Sequence, residues 1–89
     1  MHYKILEPVI ADQAPTADTL TDYDKEHLAT YIRLLDAEAD ADWSEVVRFV
    51  LGIDPEREPA RARHAWESHL TRAKWMMSRG YHQLLRTMH

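Results

Sequence analysis

Six histidines, His2, His27, His64, His69, His82 and His89, are the residues best suited to hold a metal or to move a proton near neutral pH. Their spacing supports neither role. None stands four residues from a second histidine beside an acid, the arrangement by which one helix face grips zinc. His64 and His69 are five apart and fall on different faces of a helix, and His69 reads as a satisfied core histidine. Two glycines in the whole chain leave no phosphate-cradling loop, and no Ser-His-Asp arrangement can be inferred. The carboxylates fall on stretches that read as exposed, where no burial would tune their acidity. The expectation is a protein that is not an enzyme, with no metal, cofactor or small-molecule ligand.

A different chemistry is suggested between Val46 and Leu70. A buried helix ends at Gly52, and a second helix restarts carrying arginines. With Trp66 set at zero on a helical wheel, Trp75 lands opposite the core, and Arg61, His64, Ser68, Thr71, Arg72 and Arg79 share its half. Arginines so placed could meet phosphates. Yet Asp54, Glu56 and Glu58 sit in the turn, where a duplex would approach. One exposed like-charge contact at ~4 Å costs about 1 kcal/mol in water, so a few such acids offset a few arginines. Trp75 is either covered by the N-terminal arm or last helix, or an aromatic anchor for a partner.

The elements that must position these residues read as all-α. Residues 1–20, with Pro8 and Pro15, form an extended, flexible arm, with a short strand at Tyr3–Leu6; residues 21–89 form the domain. A first helix runs from Asp22 to about Ala39, capped by Thr21 or Asp22. Leu28, Tyr31, Ile32, Leu35 and Ala39 share one face, and Tyr23, His27 and Leu34 widen it, which predicts contact on two sides. The stretch Asp36–Asp42 closes that helix with acids. Asp42 and Glu45 have the spacing of a capping box before Trp43, Val46, Val47, Val50 and Leu51, and Gly52 supplies a left-handed end. A long connection, Gly52–Glu58, leads to a third helix from Pro59 to Arg79 that stops at Gly80. Its inner face holds Ala62, Trp66, His69, Leu70, Ala73 and Met77, and alanines at 62, 65 and 73 allow close helix approach. A short helix, Tyr81–Met88, packs back through Leu84, Leu85 and Met88. The fold class is thus a three-helix helix-turn-helix variant with an extended turn, a short C-terminal helix and an N-terminal arm.

Size and charge agree with a small single domain. Eighty-nine residues bury roughly 60–65% of their unfolded surface. The absence of cysteine removes thiolate chemistry and fits a reducing cytoplasm. No apolar run approaches the ~20 residues of a membrane span, so no membrane association is expected. The net charge of -4 hides an asymmetry. Residues 1–58 carry 5 basic against 14 acidic side chains; residues 59–89 carry 6 against 1. Duplex readers usually carry net positive charge.

The segments YDKEHLATYIRLLDA, ADWSEVVRFVLGIDPEREPARARHAWESHLTRAKWM and RGYHQLL, spanning roughly residues 20–86, resemble a proteobacterial domain-of-unknown-function family. The resemblance implies an extended-turn helix-turn-helix encoded on integrative and conjugative elements. Some members form the DNA-binding half of two-domain, FseA-type transcriptional activators. In length, single-domain make-up and acidity the chain resembles the short QseM-like branch of that family. That branch implies an antiactivator, which binds the activator's N-terminal domain, with a LuxR-type quorum-sensing regulator as a second target, and blocks excision and conjugative transfer. Excess apolar surface places the expected partner face at Tyr31, Leu34, Trp75 and Tyr81. A vestigial DNA face, with DNA binding weak or absent, is expected at Glu56, Glu58, Arg61 and His64. The alternative is a DNA-binding repressor or centromere-type binder using the third helix. A small metal-dependent enzyme has only the histidines behind it.

Overall fold

The computed structural model describes residues 10–38 and 42–87. Every regular element among those residues is a helix, and no β-strand occurs among them. The expected strand at Tyr3–Leu6, together with Ala39, Met88, His2 and His89, lies outside the described residues. None of the described helices is long and apolar enough to cross a membrane.

The first helix is two. Helix α1 (Asp22–Glu26) starts at Thr21, whose hydroxyl accepts from the Asp24 N–H while the Asp24 carboxylate accepts from the Thr21 N–H, a reciprocal cap. At His27 the backbone leaves helical angles (φ -112°, ψ 23°), and the imidazole takes up the Tyr23 carbonyl at 2.8 Å through Nδ1. Helix α2 (Leu28–Ala37) then follows. The side chain of His27 thus competes locally with the helix ladder, which a continuous hydrophobic period does not reveal.

Helix α3 (Trp43–Val46) runs on into a wider π-helical turn, Val47–Leu51. Asp42 stands at its N-cap, but the expected capping box is absent: the Asp42 carboxylate accepts the Ser44 hydroxyl instead. Gly52 ends the element in the left-handed region (φ 71°), and the Ile53 N–H returns to the Val47 carbonyl at 3.3 Å. The connection is held by Asp54, whose carboxylate accepts the Glu56 N–H and whose carbonyl accepts the Glu58 N–H.

Helix α4 (Pro59–Trp75) opens on Pro59, whose missing N–H costs nothing in a first turn. Gly80 does not stop it. A π-helical turn, Met76–Gly80, and helix α5 (Tyr81–Thr87) continue with right-handed angles at both junctions. Pieces of 17, 5 and 7 residues make a rod of roughly 40 Å at 1.5 Å per residue. Gly80 has a packing role instead: a Cβ there would lie 2.6 Å from both Met76 Sδ and Trp75 Cζ3.

The main core joins Leu34, Val46, Val47, Leu51, Ile53, Ala62, Ala65 and Leu70, with Trp43 and Trp66 at its edge. A second cluster joins Tyr31, Ala73 and Met76, with Leu20, Leu28 and Trp75 packed on it. The alanines at 62, 65 and 73 are fully buried, and α2 packs closely on α4 there. The inner face of α4 is centred on Ala62, His69, Ala73 and Met76 rather than on Trp66. That is a rotation of roughly 50° on the helical wheel. It turns Met77 outward and brings Arg72 in, contrary to the sequence expectation for both. Leu85, expected to pack back, is exposed.

Candidate functional site

Residues 10–20 form a strap across the outward side of α4. The Ala11 N–H donates to the Tyr23 hydroxyl (3.0 Å), and the Ala14 N–H donates to Ser68 Oγ (3.1 Å). Arg72 donates to the carbonyls of Ala17 (2.6 Å) and Thr19 (3.0 Å). Gln83 grips the strap's end, accepting from the Leu20 N–H and donating to the Asp18 carbonyl. Asp12 pairs with Arg61 at 2.6 Å, and Gln13 Oε1 lies 3.1 Å from His64 Nε2. The expected flexible arm is therefore, over these residues, a bound segment of the domain. Beside it an open cleft runs between Ala14, Pro15 and Thr16 on the strap and Ser68, Thr71 and Trp75 on the helix.

Beneath the strap lies a buried polar layer. Asp24 and Arg72 form an ion pair with almost no solvent contact, and Tyr31 donates its hydroxyl to Asp24 at 2.7 Å. Burial by itself would raise the Asp24 pKa. The hydrogen bonds from Arg72, the Thr21 N–H, Tyr31 and the Thr21 hydroxyl overcome it and lower the value to about 2. Burial and the neighbouring carboxylate push the Tyr31 hydroxyl up. His69 Nδ1 faces the Ala65 carbonyl at 2.7 Å and must carry the proton; Nε2 then accepts from the Tyr23 hydroxyl at 2.5 Å. Burial lowers the His69 pKa, favouring this neutral form. His69 is a satisfied core histidine, as its position in the sequence suggested.

On another side, α2, the end of α4 and α5 enclose an almost wholly apolar groove. Leu28, Tyr31, Ile32 and Leu35 line one wall, and Ala73, Met76, Met77, Tyr81 and Leu84 the other. Ile32 (58% exposed), Met77 (67%) and Tyr81 (51%) stand along its lips. Large apolar side chains gathered this way mark docking surfaces, and methionine adapts its shape to a partner.

The expected partner residues divide accordingly. Tyr81 lies on the groove's rim. Tyr31 supplies its floor, but only 2% of the residue reaches solvent, and Leu34 is enclosed in the main core. Both are therefore withdrawn as direct contacts, because the wide apolar stripe of α2 is consumed by two clusters inside the molecule. Trp75 is half-buried, with the Arg72 guanidinium 3.7 Å from its ring centre and Gly80 against its edge; one side faces the cleft beside the strap.

The expected DNA face is brought together at the start of α4, but its cations are occupied. Arg61 reaches both Asp12 and Glu58, and those acids hold its pKa up. Arg72 is enclosed, so the expected Arg61–Arg72–Arg79 stripe does not form. Glu56 and Glu58 are exposed. Sequence reasoning missed Ile32 and Met77 as groove lips; it also missed Arg63, whose guanidinium lies about 5 Å from the Trp43 and Trp66 rings. Among the described residues no cluster of three or more histidine or acidic side chains could hold a metal ion.

Comparison with known proteins finds no family model and no curated protein that matches the chain.

Proposed function

We propose that the chain is a protein-binding regulator: an antiactivator that docks on the N-terminal domain of an FseA-type transcriptional activator and holds it from its promoter. The observation that carries this reading is the apolar groove with Ile32, Met77 and Tyr81 at its lips. It offers a partner surface that the molecule's own described residues leave open. The expected DNA face supports the same reading, because Arg61 has carboxylate partners of its own before any phosphate arrives and Arg72 is enclosed against Asp24. A LuxR-type regulator is a second target of the same kind.

The mechanism is competition. A free domain that keeps a companion-binding groove displaces the activator's own copy, and the resulting complex brings no phosphate-seeking face to the promoter. The block on excision and conjugative transfer of a mobile element follows from that loss.

Co-purification with an activator's N-terminal domain tests the proposal. The expected result is a stable complex that is lost in Ile32→Glu and Met77→Glu proteins. No detectable complex at tens of micromolar overturns it.

A further inference from the structure

We infer that the outward face of α4 is a receptor for an acid-bearing segment of a partner protein that follows the strap's path, a place held in the free molecule by the chain's own strap. The inference rests on the reading of the chain as a protein-binding regulator.

The contacts on this face are mostly to peptide groups. Ser68, Gln83, Tyr23 and Arg72 between them engage the main chain of Ala11, Ala14, Ala17, Asp18, Thr19 and Leu20. Groups that read backbone accept any segment able to follow the strap's path, since every residue but proline offers the same donor and acceptor. The two side-chain contacts, Asp12 with Arg61 and Gln13 with His64, are exposed. They specify one acid and one neutral polar residue.

The strap itself is a poor occupant. Ala14 is its one fully buried side chain, a single methyl group. Its neighbours Pro15 and Thr16 leave the cleft beside Trp75 open. A segment with an acid at the position of Asp12 and a large apolar residue four positions later, at that of Thr16, would keep every backbone contact and also fill the cleft against the Trp75 ring. Such a segment holds the face more tightly than the strap does, and this defines the partner's chemistry.

The test uses the full chain and an acetylated peptide, IADQAPTADTL (residues 10–20), with and without the change Thr16→Phe. Binding is followed by amide and indole chemical shifts. In an Ala14→Asp protein, whose strap is loosened by a carboxylate in the buried site, the Thr16→Phe peptide is expected to bind at least tenfold more tightly than to the unaltered chain. It should also bind more tightly than the Thr16 peptide, with shifts at Ser68, Thr71 and Trp75. Adding Arg61→Glu should weaken it at least tenfold. If Ala14→Asp loses its helical circular dichroism, Pro15→Gly with Thr16→Gly loosens the strap without burying a charge. No binding at millimolar peptide to a folded loosened-strap protein, or shifts confined to Ile32 and Met77, overturns the inference. Failure to capture an activator domain would leave this peptide result standing, so the two readings fail separately.

Discussion

The guanidinium of Arg72 forks onto the carboxylate of Asp24, Nε to Oδ1 at 2.9 Å and Nη2 to Oδ2 at 2.7 Å, and ties α4 to α1 across 48 positions of sequence. Two parallel bonds fix both planes, and two of the three remaining guanidinium hydrogens reach the strap carbonyls. One buried arginine therefore joins three segments. Arg72→Met leaves the Asp24 charge enclosed and is expected to cost about 3–5 kcal/mol in urea unfolding. Adding Asp24→Asn should recover part of that loss. A double variant as unstable as the sum of the singles would show that the pair is not coupled.

Acid should act on the molecule in two windows. The folded His69 pKa lies below its usual value because burial opposes the cation. The unfolded chain therefore takes the proton first, and stability that is full above pH ~6.5 falls as the pH drops below it. Asp24 behaves as a depressed carboxylate: its contribution of about 2 kcal/mol is present above pH ~4 and is lost as the pH falls towards 2. Unfolding free energies measured from pH 8 to pH 3 should show the first decline, and His69→Gln should flatten it. An unchanged slope between pH 6.5 and 5 would remove His69 as its source.

The two glycines should respond to alanine for different reasons. Gly52→Ala meets open space, so its cost is the strain of a left-handed backbone, about 1 kcal/mol. Gly80→Ala has the better helix former in a continuous helix, worth about 1 kcal/mol, but its methyl collides with Trp75 and Met76. Overpacking of this kind costs roughly 1–3 kcal/mol, so a net loss is expected. A stabilised Gly80→Ala protein in thermal unfolding would mean that the Trp75 ring gives way freely.

Duplex DNA should not bind the unaltered chain in a mobility-shift assay at low salt. Glu56→Lys with Glu58→Lys frees Arg61 from one partner and removes the exposed acids. Weak, sequence-independent binding is expected to appear, and to fall steeply as salt rises. Binding by the unaltered chain with the same salt dependence would favour the repressor reading.

Groove-lip substitutions separate docking from folding. Ile32→Glu and Met77→Glu replace exposed side chains, and their effect on stability should stay within about 0.5 kcal/mol. Partner capture should be lost in both. Leu34→Ala, by contrast, opens the main core and should cost about 2–5 kcal/mol.

Local chemistry was legible in the amino-acid order. Thr21 marked a helix start, though its reciprocal bond with Asp24 did not show; Gly52 marked a left-handed end, Pro59 a first turn, and the alanines at 62, 65 and 73 a close helix contact. Each depends on neighbours within a few positions, or on the size of one side chain. The all-α class follows from the same periodicity.

The strap on α4, the enclosure of Arg72 and the burial of Tyr31 and Leu34 were decided only by tertiary structure. A helical wheel gives relative angles but no absolute orientation, and taking the largest apolar residue, Trp66, as the centre rotated α4 wrongly by about one residue's half-step. The alanines marked the true centre, because the closest helix approach demands the smallest side chains. That rotation moves Arg72 from solvent to Asp24, a partner 48 positions away that no local pattern connects to it. Charge along the chain was fixed by sequence; which charges cancel inside the molecule, and which surface is left over for a partner, was fixed by packing.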